Sequence, residues 1–212
     1  MDRPTRPALS RDYILQTALA LIDRDGVEAL SMRKLGAEMG VDPMAIYHYL
    51  PSKGAVLDGV VEVLWSEVQP MTFDPVVPWT EQALRAMRAF RAALRAHPRA
   101  VAVAGTHPAV TPGMLRLVDR SLGWLTDAGL DPAEALDLIN CLAFFTMGQV
   151  LAEVGEPAGG ESTPSETVYG SLDARAYPHL VAVFAGGYDY HPDRTFEAGI
   201  TALLAGWSAR QT

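Results

Sequence analysis

The chain has 212 residues, 49% hydrophobic and 20% charged, which allows a sizeable buried core and excludes a disordered or supercharged protein. The formal net charge of −8 is unevenly spread: up to Lys53 seven basic residues balance seven acidic ones, so the negative excess lies beyond residue 53. A neutral head on an acidic body suits a small nucleic-acid-reading module carried by a domain with another task. One cysteine, Cys141, excludes an internal disulfide and points to a reducing cytoplasm. The polar segment 1–10 carries no signal core. The uncharged run 100–115 is broken by two prolines, and 138–152 is too short for a bilayer.

Leu9 and Ser10 open the first helix as staple and N-cap, with Leu9 reaching Ile14. Ile14, Ala18, Leu21 and Ile22 recur at helical spacing until Gly26. The same grammar then repeats. Leu30, Ser31 and Leu35 start a second helix that ends at Gly40, and Val41, Asp42, Pro43 and Ile46 start a third with Pro43 at its first position. The third is brief, because Leu50 precedes Pro51 and is pushed out of the helical region. Ser52 caps a fourth, with Val56, Leu57, Val60, Leu64 and Val68 on one face. Two short helices joined by the tight turn 39–42 predict a helix-turn-helix.

The stretch 70–78, with three prolines, reads as an elbow. Helices are expected over 79–97, 114–128 and 131–154, and Pro98, Pro108 and Pro112 cut the chain between the first two into short pieces. The third opens on Asp131, Pro132 and Glu134 and is apolar nearly all round, which requires burial on more than one side. Segment 155–167, rich in Gly, Pro, Ser and Glu, is expected to be a loop. A helix over 172–185 would contain Pro178. The last helix aligns Phe196, Ile200, Leu203, Leu204 and Trp207 in a stripe, beside the small residues Gly199, Ala202, Ala205 and Gly206.

The run from Ala29-Leu30-Ser31-Met32-Arg33-Lys34-Leu35 through Gly40 to Leu50, followed by Ser52-Lys53, resembles the DNA-binding domain of TetR-family regulators. Trp79…Phe90…Leu94, Gly105-Thr106-His107-Pro108 and Phe144-Phe145-Thr146-Met147-Gly148 are similar to the ligand-binding body of the tetracycline repressor. The resemblance implies an all-α homodimer: a helix-turn-helix DNA-binding domain with its connecting helix over 1–68, and a helical ligand-binding and dimerisation domain over 69–212. It implies that Arg33 reaches a base edge, Met44 and Ala45 meet thymine methyls, Tyr47 and His48 lie on backbone or flanking bases, and Lys53 holds a phosphate. Pro43 stands where the tetracycline repressor has a base-reading glutamine, so a different operator is expected.

For the body, the expected effector contacts are Trp65, Gln69, Met87, Phe90, Thr106, His107, Met114, Phe144 and Met147, aromatic, sulfur-bearing or polar residues on interior helices. Such stripes also simply fill cores. The tetracycline repressor holds its drug with a histidine, an asparagine and a metal-ligating histidine, whose positions here fall at Gln69, Ala86 and either Val103 or Ala104. The resemblance, so modified, implies a small, mainly hydrophobic effector and no metal or cofactor.

His48, His97, His107, His179 and His191 form no metal-ligand spacing, and no nucleophile elbow, P-loop or dinucleotide fingerprint is present. An enzyme is not expected. The expected function is a cytoplasmic, ligand-responsive transcriptional regulator, a repressor by family habit. The alternative is a constitutive architectural or protein-interaction module without a small-molecule ligand.

Overall fold

A computed structural model of the chain describes residues 8–66, 68, 73–107, 110–155 and 168–211. Gln69, part of the elbow at 70–78 and nearly all of the loop expected at 155–167 lie outside those residues. The described residues form ten α-helices and no strand, as the patterning predicts for an all-α chain.

The caps read from the sequence are made. Helix α1 (Arg11–Asp25) starts where the Ser10 side chain accepts from the Tyr13 amide, and ends at Gly26, whose φ of 84° a side chain would resist. Ser31 accepts from Lys34 at the start of α2 (Met32–Met39), and Asp42 accepts from Met44 at the start of α3 (Pro43–Tyr47). Ser52 accepts from Ala55 in α4 (Lys53–Ser66). Each cap satisfies an amide that the first helical turn would leave unpaired.

The remaining helices are α5 (Trp79–Ala96), α6 (Val101–Thr106), α7 (Pro112–Asp127), α8 (Pro132–Val154), α9 (Pro178–Ala185) and α10 (Pro192–Ser208). The expected helix over 172–185 is corrected. It begins at Pro178, because proline has no amide to donate and fits the first helical position, and Tyr177 before it is non-helical at φ −131° and ψ 54°.

Two compact units emerge from the packing, residues 1–155 with 199–212, and residues 156–198. In the first, α1 packs on α2 and α4, while α4 also packs on α5, α6 and α7, so the head shares a core with the first helices of the body. Gly59 allows the α1–α4 contact: a Cβ there would stand 2.4 Å from the Leu15 side chain. Helix α8 is buried against α5, α6 and α7. At 23 residues it exceeds the uncharged run within it and is long and apolar enough, by length and composition, to cross a bilayer. Packing against α5, α6 and α7 buries 33% of that apolar window, and Glu153 near the end of the helix forms a buried ion pair with Arg91 of α5 at 2.9 Å. On α10, Ile200 and Leu204 are already buried, the Phe145 ring lies over Gly199, and Trp207 donates from Nε1 to the Glu134 carbonyl. In the second unit the Tyr169 and Phe184 rings stack at 4.5 Å, with Tyr188 edge-on to Phe184.

Candidate DNA-reading face and effector cavity

Helices α2 and α3 meet at a turn that two glycines permit. Gly40 is left-handed at φ 62°, and a Cβ on Gly36 would press on the Val41 carbonyl at 2.9 Å. Ile46 is fully buried, so α3 turns its other side outward: Met44 is 64% exposed, and Tyr47 and His48 are exposed beside it. Arg33 on α2 is exposed and has no hydrogen bond or ion pair among the described residues, whereas its neighbour Lys34 is paired with Asp25 at 2.8 Å. Arg24 on α1 bridges Asp25 and Glu38, tying α1 to α2. Hydrogen bonds from Arg24 and then Lys34 outweigh desolvation and hold the Asp25 carboxyl at about 2. Lys53, the first residue of α4, donates through Nζ to the Val27 carbonyl at 3.2 Å.

The body encloses a cavity of about 440 Å³ between α4, α5, α6, α7 and α8. Its size is that of a small-ligand site. Two stacked aromatic pairs frame it. Trp65 lies on Phe90 with ring centroids 3.7 Å apart, and Phe73 lies on Trp124 at 4.4 Å; the planes in each pair are within 17° of parallel. Trp65, Phe73 and Trp124 all line the space. The polar side chains in its wall are few. Thr106 and Ser121 donate back to the Ala102 and Leu117 carbonyls, His107 is hydrogen-bonded to Asp58, and Asn140 sits on an exposed part of α8.

The segment 97–107, which contains α6 and supplies part of that wall, is fastened to the head near both of its ends, at the C-cap of α5 and the C-cap of α6. His97 Nδ1 lies 2.7 Å from Asp23 Oδ2 at the end of α1, and His107 Nδ1 lies 2.8 Å from Asp58 Oδ1 on α4. Arg99 adds a third tie, donating to the Arg24 carbonyl at 2.6 Å.

The model of bacterial regulatory proteins of the tetR family matches residues 14–60, and that of the tetracyclin repressor-like C-terminal domain matches residues 74–211. The chain belongs to the TetR family. It is 32% identical to an HTH-type transcriptional regulator of Saccharopolyspora erythraea over 97% of this chain and 87% of that protein. With the class C tetracycline repressor from Escherichia coli it shares 29% identity over 93% of this chain and 90% of the repressor. Among solved structures, a possible TetR family regulator from Streptomyces coelicolor superposes with a TM-score of 0.76 at 31% identity, covering 94% of this chain and 99% of the other. The Streptomyces coelicolor TetR family protein ActR in complex with actinorhodin superposes with a TM-score of 0.82 at 26% identity, covering 97% and 99%.

This TetR-family chain is thus a DNA-binding regulator, and its helix-turn-helix lies within the N-terminal match. Of the effector contacts expected from sequence, Trp65, Met87, Thr106, His107, Met114, Phe144 and Met147 line this cavity. Phe90 stands behind Trp65 as its stacking partner, and Gln69 lies outside the described residues. Sequence reasoning missed Phe73, Leu117, Ser121, Trp124 and Asn140. A signal existed for most of them. Met114, Leu117, Ser121 and Trp124 follow one another at steps of three and four along α7, and Asn140, Phe144 and Met147 do so along α8. Phe73 falls in the proline-rich elbow, where no periodicity marks it.

Proposed function

We propose that this TetR-family regulator is a homodimeric repressor, cytoplasmic and without enzymatic activity, which a small, mainly hydrophobic, metal-independent effector releases from its operator. The observation that carries the reading is an aromatic-framed cavity whose wall segment 97–107, containing α6, is tied to the DNA-reading head by two His–Asp hydrogen bonds, one at the end of α5 and one at the end of α6. A ligand that favours a different position of α6 changes the equilibrium of the head, which is all that allosteric release requires. On this reading residues 1–68 carry DNA recognition and 69–212 effector binding and dimerisation.

The DNA contacts are Arg33, Pro43, Met44, Ala45, Tyr47, His48 and Lys53. What supports Arg33, Met44, Tyr47 and His48 is exposure along one side of the α2–α3 pair, and for Arg33 also a guanidinium with no protein partner among the described residues; Pro43 and Ala45 lie half-buried on the same short α3, and Lys53 follows at the start of α4. Metal independence is supported by Ala86 and Ala104, which line the cavity and have no side-chain donor or lone pair.

The test is a thermal-shift screen of small molecules, followed by titration of each hit into the protein bound to an operator selected from random DNA. Hits that raise the melting temperature and lower operator affinity support the proposal. A cavity that no small molecule stabilises would favour the constitutive architectural module instead.

A further inference from the structure

Oxidation turns the apolar thioether of methionine into a polar sulfoxide, and burial shields the sulfur from it. Met32, Met39, Met87 and Met114 are buried, none of them more than 9% exposed, and Met147 is half-buried in the cavity wall. Met44, at 64%, is the one exposed methionine among the described residues. It is also the second residue of α3, on the side which that helix turns outward. Its backbone is held in place: the Met44 amide donates to Asp42 Oδ1 at 2.8 Å, and Ile46, two residues on, is fully buried. The chain therefore offers its most accessible thioether on a capped, anchored helix of the DNA-reading face, where an apolar contact is the only kind that side chain makes.

We propose that Met44 is an oxidative modification site, whose conversion to the sulfoxide by hypochlorous acid lowers operator affinity without disturbing the fold. The inference rests on the placement of Met44 at the DNA. Overall, one S–O bond forms and one O–Cl bond breaks. Sulfur gives up two electrons, chlorine leaves with them as chloride, and the hydroxyl proton is released. In the free protein the new oxygen stands in water, and no packing contact of the exposed side chain is lost. Against DNA it must give up that water beside a thymine methyl, which has no donor to offer in return. Bound DNA covers the sulfur, so the operator-free protein is the form that is oxidised, and the sulfoxide keeps it off the operator until it is reduced.

The full chain, with and without an excess of operator selected from random DNA, is treated with stoichiometric hypochlorous acid and mapped by peptide mass spectrometry. Met44 gains an oxygen before the other described methionines, and operator slows that gain. The oxidised protein keeps its melting temperature and binds operator about tenfold more weakly in fluorescence anisotropy. Methionine sulfoxide reductases A and B restore the affinity with a dithiol, which becomes a disulfide as the oxygen leaves in water. Met44→Leu, whatever its own starting affinity, is unchanged by the same treatment. If oxidation of Met44 leaves operator affinity at the parental value while operator still shields the sulfur, the inference is overturned and the DNA-reading placement stands. If operator does not shield the sulfur, the placement falls and the inference with it. If Met44→Leu weakens on treatment as much as the parent, another group such as the half-buried Cys141 thiol carries the response, and the inference is overturned.

Discussion

His107 in the cavity wall and Asp58 on α4 are joined by a 2.8 Å hydrogen bond, and the same α4 begins at Lys53, which is hydrogen-bonded to the head at Val27. A side chain that meets the cavity is therefore two hydrogen bonds and one helix away from the DNA-reading helices. Asp58→Asn keeps the size of the side chain but removes its charge. The variant should bind effector and operator near parental strength, while effector-induced loss of operator affinity shrinks by about fivefold, within the range of allosteric coupling energies. Fluorescence anisotropy of labelled operator, with and without a screened effector, measures it. Unchanged coupling would remove this link from the pathway.

Lys53 should matter to DNA independently of sequence. Replacing it by alanine should weaken binding to specific and random duplexes alike, and lower the slope of log K against log salt by about one unit per subunit. Arg33→Ala should instead cost about 1–3 kcal/mol on the preferred operator and relax selection at one base pair of each half-site. Salt titrations on two DNA sequences separate the roles. A Lys53→Ala slope equal to the parent's would show that its bond to Val27 is its whole function.

Calorimetric titration with tetracycline and magnesium should show no binding. Ala86 and Ala104 supply no ligand atom in the cavity, and His107 is already hydrogen-bonded to Asp58. A divalent ion needs oxygen or imidazole donors to replace its water, and one histidine is too few. Magnesium-dependent affinity in the micromolar range or tighter would contradict the metal-independent reading.

A second copy should cover the outward sides of α8 and α10. Leu136, Phe144 and Leu151 on α8 are exposed, Phe144 at 65%, and Ala202, Ala205 and Gly206 present a thin exposed surface on α10. Substituting Ile200 would be a poor test, because it is fully buried within the protomer. Ala205→Asp changes only the exposed side and should convert dimer to monomer in sedimentation velocity, with the helical circular dichroism signal retained. A dimer that survives would exclude this pairing of helices.

The bridge from Arg24 to Asp25 and Glu38 gives the head a predictable pH response. Both carboxyls lie below their ordinary values, with the hydrogen bond from Arg24 the largest cause in each case, and Asp25 falls from 3.8 to about 2. A depressed carboxylate contributes stability that is complete above the unfolded value and is lost as pH falls through the folded one. Arg24→Ala should therefore lower the melting temperature at neutral pH, by an amount that dwindles as pH drops from about 4 towards 2. A difference that persists unchanged at pH 2 would assign the effect to packing.

The head was legible in the sequence because its determinants are local. Ser10, Ser31, Asp42 and Ser52 each reach an amide two or three residues ahead, and Gly26 and Gly40 adopt backbone angles that their neighbours in sequence could not. Such contacts are encoded within one turn of helix. The helix start at Pro178 was misplaced because apolar periodicity runs straight through a proline that the backbone cannot accommodate in mid-helix. Periodicity likewise named part of the cavity wall, since inward-facing residues repeat along a helix whether they fill a core or line a space. Whether a space remains was decided only in three dimensions. Trp65 meets Phe90 across 25 positions of sequence and Phe73 meets Trp124 across 51, and those stacks hold the walls apart. The ties from His97 to Asp23 and from His107 to Asp58 are equally remote in sequence, and no local pattern pairs one imidazole with one carboxylate among several. Local chemistry determined which helices form and which end of the chain reads DNA. Long-range packing determined what the body can hold and how its cavity is joined to the head.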